Sequence, residues 1–204
     1  MSTTTVLAPE IAEFEISAAR DWPPQGKWTY EDYRRLPDDG WRYEIIEGEL
    51  YMCPAPEPIH QEYGGEMFAA LREFGKKHDA GKAYMAPIDV ILSDLATPVQ
   101  PDVLFICKER LQIVKKGRIE GAPDIIVEIL SPSNWVTDRR EKFKIYAKAG
   151  VPEYWIVNPS ARTIELFVLR EDRYDLIGKY NVGETVRSEV LSGFAVNVEE
   201  ICPA

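Results

Sequence analysis

The sequence predicts one α/β (α+β) domain with a mixed central sheet flanked by helices. Three observations carry that prediction. Short apolar runs rich in Val and Ile, at Ala83 to Leu92, Val103 to Cys107 and Ile125 to Leu130, have the character of buried central strands. An amphipathic helical pattern precedes them and a second one follows. After Thr163 the chain changes to alternating segments separated by turn residues, which close the domain with antiparallel strands.

The elements follow in order. Residues 1–26 mix Thr, Ala and Pro with little periodicity and predict a loose N-terminal arm, leaving 27–204 as a single domain without repeat or linker. Thr29 to Leu36 predicts a short helix capped by Thr29, with Tyr30 and Tyr33 on one side. Trp41 to Ile46 and Glu49 to Met52 predict an N-terminal hairpin that turns at Glu47-Gly48, where glycine supplies a positive φ. Pro54, Pro56 and Pro58 break the chain ahead of a helix over Gln61 to Lys77, whose Tyr63, Met67, Leu71 and Phe74 form one apolar stripe. Asp138 to Ala149 predicts the second helix, with Asp138 and Glu141 at capping-box spacing and Gly150 as its stop. A buried strand over Glu153 to Val157 comes next, and then strands over Thr163 to Leu169, Tyr174 to Ile177 and Glu189 to Phe194.

Composition bounds the function. The chain has 204 residues, of which 45% are hydrophobic and 28% charged, so it can bury one sizeable core and is not of disordered composition. No apolar run is long enough to span a bilayer, and the N-terminus lacks the basic-then-apolar order of an export signal. Cys53, Cys107 and Cys202 are odd in number and widely spaced, which excludes a disulfide framework and fits a reducing cytoplasm. The net charge of −10 opposes nucleic-acid binding at long range. That charge is uneven: Pro101 to Gly150 carries about +3 and the remainder about −13. The +3 segment is either a local basic patch or a set of solvated faces.

Two carboxylates stand out. Asp102 follows Pro101 at the start of an apolar strand, and Glu128 interrupts the run Ile125-Ile126-Val127-Glu128-Ile129-Leu130. A carboxylate inside a buried strand is costly unless something neutralises it. Phosphodiester cleavage uses such a pair: carboxylate oxygens hold Mg²⁺, which polarises the phosphate and acidifies a water, while an ammonium stabilises the developing charge. The competing reading is that Glu128 pairs with an arginine or faces solvent at a sheet edge, and Pro-Asp is also a common turn pair. Lys142 stands four residues before Tyr146 and so shares its packed helix face, whereas Lys144 points elsewhere. Either lysine could serve solubility alone, and Asp138 suits a helix cap better than a catalytic role. His60 and His78 are too few for a histidine metal cluster. No H-E-x-x-H, G-x-S-x-G or phosphate-loop motif occurs.

At these residues the sequence resembles a family. Tyr43-Glu44-Ile45-Ile46-Glu47-Gly48-Glu49-Leu50, His60 and Gln100-Pro101-Asp102-Val103 are similar to motifs of the Uma-two family of restriction-endonuclease-like proteins. So are Val127-Glu128-Ile129-Leu130-Ser131-Pro132-Ser133, then Asp138, Lys142 and Tyr146, and Gly150-Val151-Pro152-Glu153-Tyr154-Trp155-Ile156-Val157. The resemblance runs from about Trp28 to at least Pro159. It implies the PD-(D/E)XK nuclease superfamily, a restriction-endonuclease-like fold and a metal-dependent cut in DNA, with Mg²⁺ as cofactor or Mn²⁺ in its place. Carried over, Asp102 is the PD aspartate and Glu128 the acidic member of the second signature, both binding metal. The signature lysine position holds Leu130, so Lys142 is the candidate substitute. Glu44 and His60 match family positions as supporting groups: a further carboxylate, and a group that orients water or phosphate.

The expected function is therefore a Mg²⁺-dependent endodeoxyribonuclease using Asp102, Glu128 and Lys142. Its acidity implies weak DNA binding that weakens further with salt, through a local basic patch, the metal or a homodimer. Two alternatives fit the same residues. One is a catalytically degenerate nuclease fold serving as a nucleic-acid or protein interaction module. The other is a scaffold that dimerises through aromatics such as Tyr154, Trp155 and Phe167.

Overall fold

The protein is described from a computed structural model that covers residues 22–53, 55–92, 98–131 and 141–203. The chain begins with α1 (Tyr30–Tyr33), the hairpin β1 (Arg42–Ile46) and β2 (Glu49–Cys53), and the long helix α2 (Pro58–Lys77). Strands β3 (Gly81–Met85), β4 (Asp89–Ile91) and β5 (Val103–Cys107) follow, then a 3-10 turn at Lys108–Ile113, β6 (Val114–Lys115), β7 (Arg118–Glu120) and β8 (Ile125–Ile129). Helix α3 (Phe143–Ala149) leads to β9 (Glu153–Asn158), β10 (Thr163–Arg170), β11 (Arg173–Asn181), β12 (Thr185–Arg187), β13 (Ala195–Asn197) and α4 (Val198–Ile201).

The central sheet has six strands in the order β11-β10-β9-β8-β5-β3. Only β8 and β9 run parallel, and the chain between them carries α3, so this is a strand–helix–strand crossover inside an otherwise antiparallel sheet. Alternate residues of the central strands enter two cores. Val103, Phe105, Ile125, Val127 and Trp155 pack with Tyr63, Met67 and Leu71 of α2. Leu104, Ile106, Ile126, Tyr154 and Ile156 pack with Ile145 and Tyr146 of α3. Burial on both faces is why these strands read as continuous apolar runs. The expected mixed sheet flanked by helices is what the structure contains.

Several expectations are corrected. The run Ala83 to Leu92 is not one strand: β3 pairs with β5, whereas β4 joins a separate sheet in the order β4-β7-β6. Pro87 lies between them and has no N–H to continue the ladder. Glu189 to Phe194 is not a strand either. Its first amides are taken by the Glu153 carboxylate, 2.8 Å from Glu189 N and 3.1 Å from Val190 N, and the ladder resumes only where β12 meets β13. Pro58 does not precede α2 but opens it, the position where a missing N–H costs nothing. Tyr154, Trp155 and Phe167 do not form a docking surface, because all three are buried in the cores. The proposed cap Asp138 lies outside the described residues. Among the described residues no helix is long and apolar enough to cross a membrane.

Candidate active site

Neighbouring strands bring the two singled-out carboxylates together. The β5–β8 ladder pairs Val103 with Val127, so Asp102 and Glu128 occupy the next positions at the same end of adjacent strands. Glu128 shares the sheet face of Ile126, the face covered by α3. There its Oε1 accepts a hydrogen bond from the Tyr146 hydroxyl at 2.6 Å and lies 3.3 Å from Lys142 Nζ, with Oε2 at 3.4 Å. Among the described residues, the cost of burying Glu128 is thus offset by an ammonium and a phenol.

Glu44 is the third acid of this group. It lies mid-strand in β1 and sends Oε2 to within 3.1 Å of Lys142 Nζ. Its Oε1 accepts the Gln100 N–H at 2.6 Å, which ties the hairpin to the segment leading into Asp102. Lys142, Glu44 and Glu128 are all buried, so removing the lysine leaves two interior carboxylates without their shared cation. Burial, followed by the Glu128 charge, pushes the Tyr146 phenol well above its usual range, so it stays a donor.

Asp102 is held differently. Its Oδ2 accepts the Ile129 N–H at 2.8 Å and lies 3.1 Å from His60 Nε2. His60 reaches it from the first turn of α2, which starts at Pro58. Burial alone would raise the Asp102 carboxyl. The His60 hydrogen bond and charge, then Lys142 and the Ile129 amide, outweigh burial and hold it below its ordinary value. Its other oxygen has no hydrogen-bond partner among the described residues.

The structure therefore gathers every sequence-proposed member: Asp102, Glu128, Lys142, Glu44 and His60. Lys144 is exposed and pairs with Glu141, as its helix position implied. Leu130, at the signature lysine position, packs on the core beside α3 instead of reaching the acids. Three contributors were not anticipated. The bond from Tyr146 to Glu128 was foreshadowed only by the four-residue spacing from Lys142, and the Gln100 amide has no side-chain signal. The third is Arg42, which lines a narrow cleft with His60, Gln61, Gly64, Met85, Ala86 and Asp102.

Among the described residues no three His, Cys, Asp or Glu side chains gather as a metal cage. The donors are of the kind that a hard divalent cation takes. Mg²⁺ is usually bound through one or two carboxylates and otherwise keeps water or substrate phosphate, and Asp102 with Glu128 supplies that number of hard oxygen ligands. Among the described residues of the +3 segment, Arg110 lies 2.8 Å from Asp124, Arg118 2.5 Å from Glu120 and Lys148 3.0 Å from Glu47, while Lys108 pairs with Asp79.

A mixed sheet with a helical crossover, helices on both faces and acids gathered at the ends of two neighbouring strands defines a restriction-endonuclease-like protein. The family model Uma2, described as "Putative restriction endonuclease", matches residues 30–199. The chain belongs to this family, the Uma-two group that its motifs resemble. An uncharacterized protein of Synechocystis sp. is 25% identical over 161 residues, covering 77% of this chain and 82% of that one. A crystal structure from Anabaena variabilis, described as a "putative nuclease belonging to DUF820", superposes with a TM-score of 0.70 at 20% identity, over 85% of this chain and 96% of that one. At that identity the likeness concerns the fold.

Proposed function

We propose that the chain is a Mg²⁺-dependent endodeoxyribonuclease that hydrolyses DNA phosphodiester bonds. The carrying observation is the meeting of buried Glu128 and Glu44 at Lys142, with Asp102 beside them at the end of the adjoining strand. Asp102 and Glu128 are the residues that would hold the ion. Mg²⁺ would supply Lewis-acid charge to the phosphate and acidify the attacking water.

The chain's own groups do the positioning. His60 and the Ile129 amide fix one oxygen of Asp102 and leave the other for a ligand. Tyr146 and Lys142 orient Glu128. Lys142 brings a buried cation that stabilises negative charge on the attacking water or on the five-coordinate phosphate, the task that the signature lysine would otherwise perform. Water oxygen bonds to phosphorus and gives up its proton to solvent, the bond to the leaving sugar oxygen breaks, and that oxygen takes a proton from solvent and departs as a hydroxyl.

The test is cleavage of plasmid and linear duplex by the purified chain with and without Mg²⁺ or Mn²⁺. Metal-dependent cutting is expected from the wild type and none from Asp102→Ala or Glu128→Ala. A wild-type protein that cuts no DNA under broad metal conditions would refute the reading. Metal-independent DNA binding that survives Asp102→Ala would instead favour a binding module.

A further inference from the structure

Strand β1 presents alternate residues to the site. Glu44 sends its carboxylate to Lys142 and to the amide before Pro101, and Arg42, two residues earlier, lies on the same side of the strand. Arg42 is half-buried at the wall of the cleft that holds His60 and Asp102. The cleft has a volume of about 20 Å³, room for one water-sized group.

The charges around this cleft are otherwise matched. Asp102 is met by His60, and Lys142 by Glu44 and Glu128. Arg42 differs: its Nε is buried and has no hydrogen-bond partner, and no carboxylate among the described residues forms an ion pair with it. Burying Nε without a partner is costly, because that one donor loses water and gains nothing in exchange, while the side chain as a whole is half-buried. Its planar fork matches a phosphate diester in shape and charge, and its pKa keeps it cationic at any working pH. Among the described residues of the basic segment, Lys108, Arg110, Arg118 and Lys148 are held in ion pairs, whereas Arg42 is held in none.

We infer that Arg42 is a substrate-binding residue of the cleft, whose guanidinium takes a backbone phosphate of the nucleic acid beside the group held at Asp102. The inference rests on the nuclease reading for the identity of the substrate. It adds a residue outside the proposed metal and lysine set.

The experiment measures binding of a short fluorescent DNA duplex with Ca²⁺ in place of Mg²⁺, across a salt series, for the wild type, Arg42→Met and Arg42→Lys. Loss of one charge-assisted phosphate contact is expected to weaken binding by about ten- to a hundredfold in Arg42→Met. The slope of log affinity against log salt should fall by about one contact. Arg42→Lys should fall between the two, since it keeps the charge without the fork. Placing a methylphosphonate at each backbone position in turn should find one site that weakens the wild type and not Arg42→Met. Arg42→Met with wild-type affinity and slope would overturn the inference, as would a wild type that does not bind DNA. If Arg42→Met does not fold, Arg42→Lys with unchanged affinity and an unchanged methylphosphonate pattern would overturn it equally. Intact binding without cleavage by the wild type would count against the nuclease reading alone, so the two failures are distinguishable.

Discussion

Lys142 Nζ lies 3.1 Å from Glu44 Oε2, an ion pair in which both side chains are almost fully buried and which joins the segment leading into α3 to the N-terminal hairpin. Glu128 completes the group at 3.3 Å. Removing the ammonium leaves two interior carboxylates facing each other, so Lys142→Met should cost about 3–5 kcal/mol of unfolding free energy. Adding Glu44→Gln removes one of those charges and should restore part of the loss. Urea denaturation of the single and double variants checks this. A double variant as unstable as the sum of the two singles would mean that Lys142 and Glu44 do not interact energetically.

The sequence made this group legible to different degrees. Glu128 announced itself because a carboxylate in a run that is otherwise apolar has to be neutralised, whereas the spacing of Lys142 to Tyr146 suited a solubility role equally and only the family resemblance singled it out. Gly48 was readable too: its φ is +78 and an added Cβ would lie 2.6 Å from Gly26 O, so only glycine fits that hairpin turn. Arg42 was not readable, because an arginine opening a strand looks like any solvated residue until the strand is placed beside Asp102. Nor was the break inside Ala83 to Leu92, where apolar character continues while the ladder changes partner. Glu189 to Phe194 misled for a related reason. Its alternation suits a strand, but a carboxylate from β9 competes for its amides.

Tyr146 donates to Glu128 at 2.6 Å from a wholly buried position. Tyr146→Phe keeps the ring and removes the donor. It should cost about 1.5–3 kcal/mol, the range for a hydrogen bond to a charged group. Cleavage should fall more in kcat than in KM, because Glu128 loses its fixed orientation while the surface that meets DNA is untouched. An unchanged kcat would remove Tyr146 from the positioning set.

His60 holds the Asp102 carboxyl below its ordinary value, and the consequence has a definite sign. As pH falls, the unfolded chain takes up this proton first, near the ordinary aspartate value of about 3.9. The native state is therefore stabilised above that pH, and the stabilisation is lost as pH falls toward the native value. In EDTA, His60→Ala should be less stable than wild type at pH 5, and the gap should narrow by pH 3. A gap that stays constant across the window would show that His60 contributes packing alone.

Glu153 is a buried carboxylate of another kind. It has no exposed surface and accepts the indole N–H of Trp155 at 2.6 Å together with the amides of Glu189 and Val190. Its acceptors are met by neutral donors of the fold, which fasten the segment ahead of β13 to the first residue of β9. No site residue is among its partners. Glu153→Ala would orphan the buried Trp155 indole and loosen two part-buried amides, and at about 1–3 kcal/mol for a buried unsatisfied group the total should reach about 2–4 kcal/mol. Cleavage per folded molecule should not change. Denaturant melts together with activity normalised to the folded fraction separate the two quantities. A loss below about 1 kcal/mol would contradict the bond network, and a loss of turnover at full folding would extend the site to β9.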